Sequence, residues 1–228
     1  MKVWGVDGCP GGWFAVSSDG ELSLASDFSS LLQRLSSGRL YIDIPIGLPE
    51  TERRLEGFIR RKKPIRSGSL FSVPCRSAVY ADTYECACEI NFSLTGKKLS
   101  KQSWFLCKKI KEVDDKLRRD DSMRRRVIES HPELAFAILK GSTLEFSKKT
   151  LAGIQERLTI LSTKHSQTKQ IFALAASTYP RKLLGRDDIV DALALLCVGL
   201  GKKRRLVVSG QRRDAFGIPI RMIVPDRS

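Results

Sequence analysis

Long apolar runs are absent from this 228-residue chain. The longest, residues 192–200, is far shorter than the roughly 18 residues that a membrane-spanning helix needs. The segment after Met1 also lacks the basic stretch followed by apolar residues that marks a secretory signal. We therefore expect a soluble, cytoplasmic protein that has no membrane partner.

Ligands for a soft metal are also scarce. The chain has two histidines and six cysteines, and only Cys86 and Cys88 are spaced like ligands of a shared ion. Structural zinc sites normally add a second such pair downstream, and none follows here. In the absence of a secretory signal we expect reduced cysteines, so neither a disulfide framework nor a zinc fold is predicted.

Acidic residues are outnumbered by basic ones. Forty Lys and Arg residues face 25 Asp and Glu residues, which leaves a formal net charge of +15. The excess is clustered in four stretches, at 53–66, 108–111, 118–126 and 202–205. A solvated face explains any single cluster, but four together favour a polyanionic partner, because neutralising phosphates releases condensed counterions. Nucleic acid is the expected partner.

The first 44 residues alternate strand and turn signals. Apolar runs predict three antiparallel strands joined by turns, and the spacing of apolar residues in 28–35 predicts a short helix. A crossover helix implies that the next strand lies parallel to an earlier one, beside the first. The predicted strands are 2–6, 13–17, 21–25 and 39–44.

The middle of the chain is less regular. Residues 50–124 contain basic helical stretches at 52–63 and 102–119 and a loop-like segment at 67–76. A connection this long does not fit within a compact sheet, so we interpret about 50–124 as an insertion in a single domain that spans 1–228. Residues 125–129 predict a fifth strand, and helical patterns follow at 132–139, 149–161, 171–177 and 187–200.

Four aspartates occupy comparable places in these elements. Asp7 ends the first strand, Asp43 lies near the end of the fourth, and Asp188 and Asp191 project from one face at the start of the last helix. Small residues such as Ala192 would let that helix pack close to the sheet. Four carboxylates without lysine partners repel one another unless cations bind among them, and oxygen ligands select Mg²⁺ or Mn²⁺.

Each acid also has a structural interpretation. Asp7 before Gly8 is a natural turn former. An acid near a helix start stabilises the helix dipole. We assign the dipole role to Asp187 and the ligand role to Asp188, whose spacing from Asp191 suits a shared ion better.

The order of these features resembles the ribonuclease H-like superfamily, and the segment DIVDALA (188–194) resembles the last motif of its Holliday-junction resolvases. Four further motifs resemble a family of uncharacterised proteins labelled predicted ribonuclease H-like nucleases: VDGCPGGW (6–13), IDIPIGLP (42–49), TGKKLSKQ (95–102) and ESHPEL (129–134). The resemblance implies an α/β fold with a mixed five-stranded sheet, in which a three-strand antiparallel meander is joined by two parallel strands. Helices would flank the sheet, and the insertion would be mostly helical and basic.

The resemblance also implies an activity. Asp7, Asp43, Asp188 and Asp191 would hold two divalent ions about 4 Å apart, one activating water and the other stabilising the departing oxygen of a scissile phosphate. Glu129, which follows the fifth strand, would bind metal or orient the water, or would instead cap the next helix. The expected function is that of a Mg²⁺- or Mn²⁺-dependent nuclease.

Basic residues and a histidine would hold the substrate. The substrate-binding candidates are Arg76, Lys109, His131 and Lys149, and His131 has a structural alternative. The predicted first helix lacks the glutamate that ribonuclease H carries on its corresponding helix. The resemblance therefore favours a resolvase-like arrangement over an enzyme for RNA–DNA hybrids, and DNA and RNA are not distinguished.

Two other functions stay open at this point. A non-catalytic nucleic-acid-binding protein would use the basic insertion without the acids. Sugar and acetate kinases use a related core, but they need two copies of it and hydroxyl groups in the early glycine loop, which GCPG (8–11) lacks. The sequence makes no prediction of an oligomeric state.

Overall fold

The elements follow the expected order, with additional strands near the C-terminal end. The computed structural model describes residues 1–62 and 70–226, so Lys63, Arg66 and the start of the predicted 67–76 loop lie outside the described residues. The strands are β1 (Val3–Cys9), β2 (Gly12–Ser17), β3 (Leu22–Ala25), β4 (Arg39–Ile42), β5 (Val127–Glu129), β6 (Lys203–Leu206) and β7 (Met222–Pro225). The helices are α1 (Phe28–Arg34), α2 (Arg54–Lys62), α3 (Arg76–Val79), α4 (Tyr84–Thr95), α5 (Lys101–Arg119), α6 (Asp121–Arg126), α7 (Pro132–Lys140), α8 (Leu151–Ser162), α9 (Thr168–Thr178) and α10 (Arg186–Leu200).

The main sheet has five strands in the order β3-β2-β1-β4-β5. Antiparallel pairing joins β1 to β2 and β2 to β3, while β4 lies parallel to both β1 and β5. This confirms the predicted mixed sheet, and the arrangement of sheet and flanking helices is consistent with a ribonuclease H-like fold. β6 and β7 form a separate two-stranded sheet that the sequence did not predict.

Helix α10 is the element that packs most closely on the sheet. Its residues from Ile189 to Gly199 are all buried. A glycine in β1 permits the close approach, because a Cβ added at Gly5 would lie 2.0 Å from the carbonyl oxygen of Ala192. The acidic first turns of α10 can therefore reach the β1 backbone.

The chain divides into two compact units. Unit 1 takes in Met1–Ile44, Arg125–Arg205 and the C-terminal end from Met222. Unit 2 takes in the described residues of Pro45–Arg124 together with Leu206–Arg221. Within the described ranges, none of the helices has the length and apolar content that crossing a membrane requires.

A buried ion-pair network lies within unit 2. The Arg76 guanidinium donates to the carboxylate of Asp114 and, over 2.6 Å, to Oδ2 of Asp214. The fully buried Asp214 side chain also accepts from the backbone N–H groups of Leu48 and Ile218. The Asp214 carboxylate therefore connects Leu48, near the start of unit 2, with the second segment of that unit, Leu206–Arg221.

Candidate functional site

Asp7 and Asp43 come from neighbouring parallel strands. β1 continues past Asp7 to Cys9, so Asp7 lies inside the strand, opposite Phe14, and does not end it as expected. It is nevertheless the first β1 residue beyond the pairing with β4, which stops at Val6 and Ile42. Asp43 directly follows β4, and its N–H donates to the Val6 carbonyl over 3.2 Å. Both acids therefore lie at the same edge of the parallel pair.

The acids of α10 reach this edge because the helix rests on β1. Gly5 faces α10, and side chains two residues apart on a strand share a face, so Asp7 also points to the α10 side. Asp191, which is 2% exposed, and the partly buried Asp188 project from the first turns of that helix. Unit 1 therefore places Asp7 and Asp43 at one edge of the sheet, on the side where the helix that carries Asp188 and Asp191 packs.

Burial is the main cause of the raised pKa values of these carboxylates. Burial raises the pKa of Asp7 well above its ordinary value, and the charges of Asp191, Asp43 and Asp188 raise it further. Burial also raises the pKa of Asp43, and it raises the pKa of Asp191 to about 6. Each negative charge in this group is therefore costly, and a cation bound among the acids would relieve that cost.

A lysine already lies among the carboxylates, so the expectation that they lack a lysine partner is wrong. The Nζ of Lys148 is 2.5 Å from Oδ2 of the buried Asp191. Burial by itself would lower the pKa of Lys148, but the charges of Asp191, Asp7 and Asp43 more than offset this and raise it. The side chain is therefore an ammonium group at neutral pH.

Sequence reasoning missed Lys148 because it lies in a loop. The predicted helix at 149–161 begins in the structure at Leu151, with the Thr150 side chain accepting from the Gly153 N–H as its cap. Residues before the cap have no periodic pattern that would show where they point. The predicted substrate ligand, Lys149, is instead exposed and lies 3.3 Å from the carboxylate of Asp187.

The donor set fits a hard divalent cation. Oδ1 of Asp191 is buried and has no hydrogen-bond partner among the described residues, so a ligating oxygen is available. All four acids supply oxygen, the donor that Mg²⁺ and Mn²⁺ prefer. Among the described residues, however, no three acidic, histidine or cysteine groups are placed to hold an ion as they stand. An ion would therefore complete its coordination with water or substrate oxygens.

Glu129 lies apart from this group. It is buried at the end of β5 and is aligned with Ile42, which is in turn aligned with Val6. Aligned residues of a sheet share a face and consecutive residues alternate, so Glu129 points to the face opposite Asp7 and Asp43. The register does not bring Glu129 to the predicted catalytic set.

Residues just after Glu129 influence the site instead. His131 is the N-cap of α7, where its Nδ1 accepts from the Leu134 N–H over 3.2 Å, and its charge partly offsets the raised pKa of Asp43. The charge of Glu133 acts in the opposite direction on Asp43 and Asp191. Glu133 accepts a 2.6 Å hydrogen bond from Arg157, a contact that the sequence did not indicate.

Asp187 and Asp188 both lie in the first turn of α10, and Asp188 in addition has a capping contact that the sequence did not predict. Oδ2 of Asp188 accepts from the N–H of Gly185, the N-cap residue, over 3.0 Å. The charge of Asp188 nevertheless contributes to the raised pKa of Asp7. Asp188 therefore combines a structural contact with a place beside the other acids.

Two of the predicted substrate ligands belong to unit 2. Arg76 is 7% exposed, and its guanidinium already forms ion pairs with Asp114 and Asp214. Lys109 is partly buried on α5 and has interactions within the protein. Neither is an open cationic ligand.

A family comparison covers the residues that build this site. Residues 5–207 match the family described as "Protein of unknown function (DUF429)", a span that includes Asp7, Asp43, Lys148 and Asp191. Neither the search of curated proteins nor the search of solved structures found a match. Because the family model matches most of the chain, the chain belongs to the DUF429 family.

Proposed function

We propose that this protein is a Mg²⁺- or Mn²⁺-dependent phosphodiester hydrolase that acts on nucleic acid. The observation that carries the proposal is the convergence of buried aspartates from β1, the end of β4 and α10, whose pKa values are all raised. Perturbed acids grouped on different elements are typical of catalytic sites, since a fold has no structural need to bury them together.

The chain's own residues have distinct roles in this proposal. Two of the carboxylates of Asp7, Asp43 and Asp191, whose Oδ1 has no hydrogen-bond partner among the described residues, would bind the cation, and water or substrate oxygens would complete its coordination. When bound, a divalent ion supplies charge stabilisation at a scissile phosphate and lowers the pKa of a water molecule. His131 is held in place as the N-cap of α7, where its Nδ1 accepts from the Leu134 N–H.

An exposed stripe on α5 supports nucleic acid as the substrate class. Lys101, Phe105, Lys108 and Lys111 recur at intervals of three or four residues and are all exposed, so they share one face of the helix, here called the α5 stripe. Phe105 is 74% exposed. Lysines contact backbone phosphates and an exposed aromatic ring stacks on an unpaired base, so the stripe suits a single-stranded segment.

Cleavage assays test the proposal. Single-stranded DNA, single-stranded RNA, duplex DNA and a four-way junction are each incubated with the protein and Mn²⁺, Mg²⁺ or EDTA. We expect metal-dependent cleavage that Asp7→Asn and Asp43→Asn abolish and that Asp187→Asn, a matched carboxylate outside the group, retains. Cleavage that persists in both Asp7→Asn and Asp43→Asn would show that these acids are not the active site.

A second candidate is a nucleic-acid-binding protein without catalysis. The ion pair between Lys148 and Asp191 favours it, because that pair balances part of the negative charge without any metal. In that case no substrate is cleaved under any metal condition, and Asp7→Asn binds nucleic acid as tightly as the wild type.

A further inference from the structure

Lys148 lies where a cation is needed. Its ammonium is paired with Asp191, and the charges of Asp7 and Asp43 also act on it. Two-ion nucleases place a pair of divalent cations among such acids, with bridging carboxylates between them. Here one of the cations that balance the acids belongs to the protein itself.

Several carboxylate oxygens are already committed to protein donors. Oδ1 of Asp7 accepts from the Gly8 N–H over 2.8 Å. Oδ2 of Asp188 accepts from the Gly185 N–H, and Oδ2 of Asp191 accepts from Lys148. The remaining oxygens of these acids and of Asp43 suffice for one Mg²⁺ or Mn²⁺, which commonly uses one or two carboxylates and fills its shell with water and phosphate oxygens.

A second divalent ion would meet electrostatic opposition from Lys148. It would need Oδ2 of Asp191, which lies 2.5 Å from the Lys148 ammonium. Like charges at such separations repel, and water screens the repulsion only in part, because the Asp191 side chain is 2% exposed and that of Lys148 is 36% exposed. The ammonium and a second ion therefore compete for the same oxygen.

We propose that Lys148 takes the place of one of the two divalent ions, so that the site binds a single ion, held by at most two of the carboxylates of Asp7, Asp43 and Asp191 and otherwise by water or substrate oxygens. This inference rests on the proposed function, because it concerns the same metal-binding acids. It changes the expected chemistry from a two-ion site to one ion assisted by a lysine. Lys148 is then positioned to contact a phosphate oxygen that a second ion would otherwise neutralise.

Counting bound Mn²⁺ tests the inference without an activity assay. Free Mn²⁺ gives an electron paramagnetic resonance signal that disappears on binding, so a titration measures the number of ions per chain. We expect one ion for the wild type and for Lys148→Arg, which keeps the charge, and two for Lys148→Met, which keeps the length and removes the charge. Lys149→Met, the adjacent exposed lysine, is the control and should bind one.

The outcomes separate this inference from the proposed function. Two ions in both the wild type and Lys148→Met would overturn the role of Lys148 and leave a metal-dependent hydrolase in place. One ion in both the wild type and Lys148→Met would also overturn the role of Lys148, because the lysine would then not be what limits the number of bound ions. Absence of binding in the wild type and in Lys148→Met would overturn the inference and the metal-dependent function together. The wild-type count needs no variant, so it is informative even if Lys148→Met fails to fold.

Discussion

The aspartates of the candidate site affect folding stability and ligand binding in opposite directions. Their negative charges would bind a cation, but the same charges destabilise the metal-free fold. A carboxyl group whose pKa is raised in the folded state binds its proton more tightly there than in the unfolded chain. Its ionisation therefore destabilises the fold as the pH rises from the unfolded pKa to the folded one. Asp7, Asp43, Asp188 and Asp191 are all in this position, since burial raises the pKa of each.

Replacing Asp7 by asparagine should stabilise the metal-free protein. The amide keeps an acceptor for the Gly8 N–H and removes a charge that burial and three neighbouring acids disfavour. We expect a gain of about 1–2 kcal/mol, which corresponds to a rise in Tm of roughly 2–8 °C in EDTA at neutral pH. The same variant should lose the Tm increase that Mn²⁺ gives the wild type, because a ligand is missing.

The pH dependence of this stabilisation checks its cause. Below pH 3.8, the ordinary pKa of the group, Asp7 is protonated in both states and Asp7→Asn should have no electrostatic advantage. The advantage should grow as the pH rises from 3.8 to the raised folded pKa and then stay constant. Thermal unfolding from pH 3.5 to 8 measures it, and an advantage that does not vary with pH would contradict the electrostatic explanation.

At the scale of elements, the approach of α10 to β1 positions the acids. Gly5 is the residue on which this approach depends, since the helix backbone occupies the space a side chain would need. A glycine inside a strand usually lowers the stability of the strand. At position 5 it is explained by the close packing of the helix backbone against β1.

Gly5→Ala should therefore destabilise the fold and disturb the site. The added Cβ would be 2.0 Å from the Ala192 carbonyl oxygen, which is backbone and cannot rotate away. We expect a loss of at least about 2 kcal/mol in the free energy of unfolding, together with a smaller Mn²⁺-induced shift in Tm. Gly57→Ala, at a helical position of α2 with room for a methyl group, is the control and should be neutral or slightly stabilising.

The α5 stripe gives a second prediction at this scale. Lys108→Glu with Lys111→Glu should weaken binding of single-stranded nucleic acid and reduce the slope of log affinity against log salt by about 1–2, because phosphate contacts are lost. Phe105→Ala should weaken binding by about 1–3 kcal/mol and leave the slope unchanged, because it removes stacking. Fluorescence anisotropy across a salt series measures both effects.

A charge-matched pair controls for net charge. Lys164→Glu with Lys169→Glu changes two exposed lysines of unit 1 by the same amount. If this pair weakens binding as much as the α5 pair does, the interaction depends on overall charge and the α5 stripe is not the contact surface.

Local signals were enough to predict much of this arrangement. The five strands, the crossover that places β4 beside β1, and the acids of β1, β4 and α10 all follow from residue spacing and turn residues. Helix α4 was missed because its exposed Phe92 and Leu94 blur the apolar periodicity. The face of the sheet to which the Glu129 side chain points depends on the strand register, because a shift of one residue turns the side chain to the opposite face. Lys148 and Gly5 depend on which distant segment packs beside them, which no local pattern records.

At the scale of the whole molecule, unit 2 is built from two separate segments of the chain, and the second one begins after α10, at the last residue of β6. Residues 206–221 belong with 45–124, and the buried carboxylate of Asp214 provides the link by accepting from Arg76 and from backbone N–H groups on both segments. Removing the Asp214 carboxylate would leave Arg76 with Asp114 but take away part of its compensating charge. It would also leave the N–H groups of Leu48 and Ile218 without this acceptor, which is a large cost in a buried place.

Asp214→Ala should therefore loosen unit 2 selectively. We expect a loss of about 3–5 kcal/mol and faster hydrogen exchange at the N–H groups of Leu48, Phe216 and Ile218, which donate to this carboxylate. The strands of unit 1 should keep their protection. Asp121→Ala, which removes an exposed carboxylate of unit 2, should change little, and equal effects of the two variants would contradict the structural role of Asp214.

The most direct test of the proposed site is anomalous scattering from crystals of the wild-type protein grown or soaked with Mn²⁺. A metal-dependent hydrolase built on these acids predicts a strong peak bound to one or two of the carboxylates of Asp7, Asp43 and Asp191, close to the Lys148 ammonium. Full Mn²⁺ exposure without any peak at these three carboxylates would contradict it.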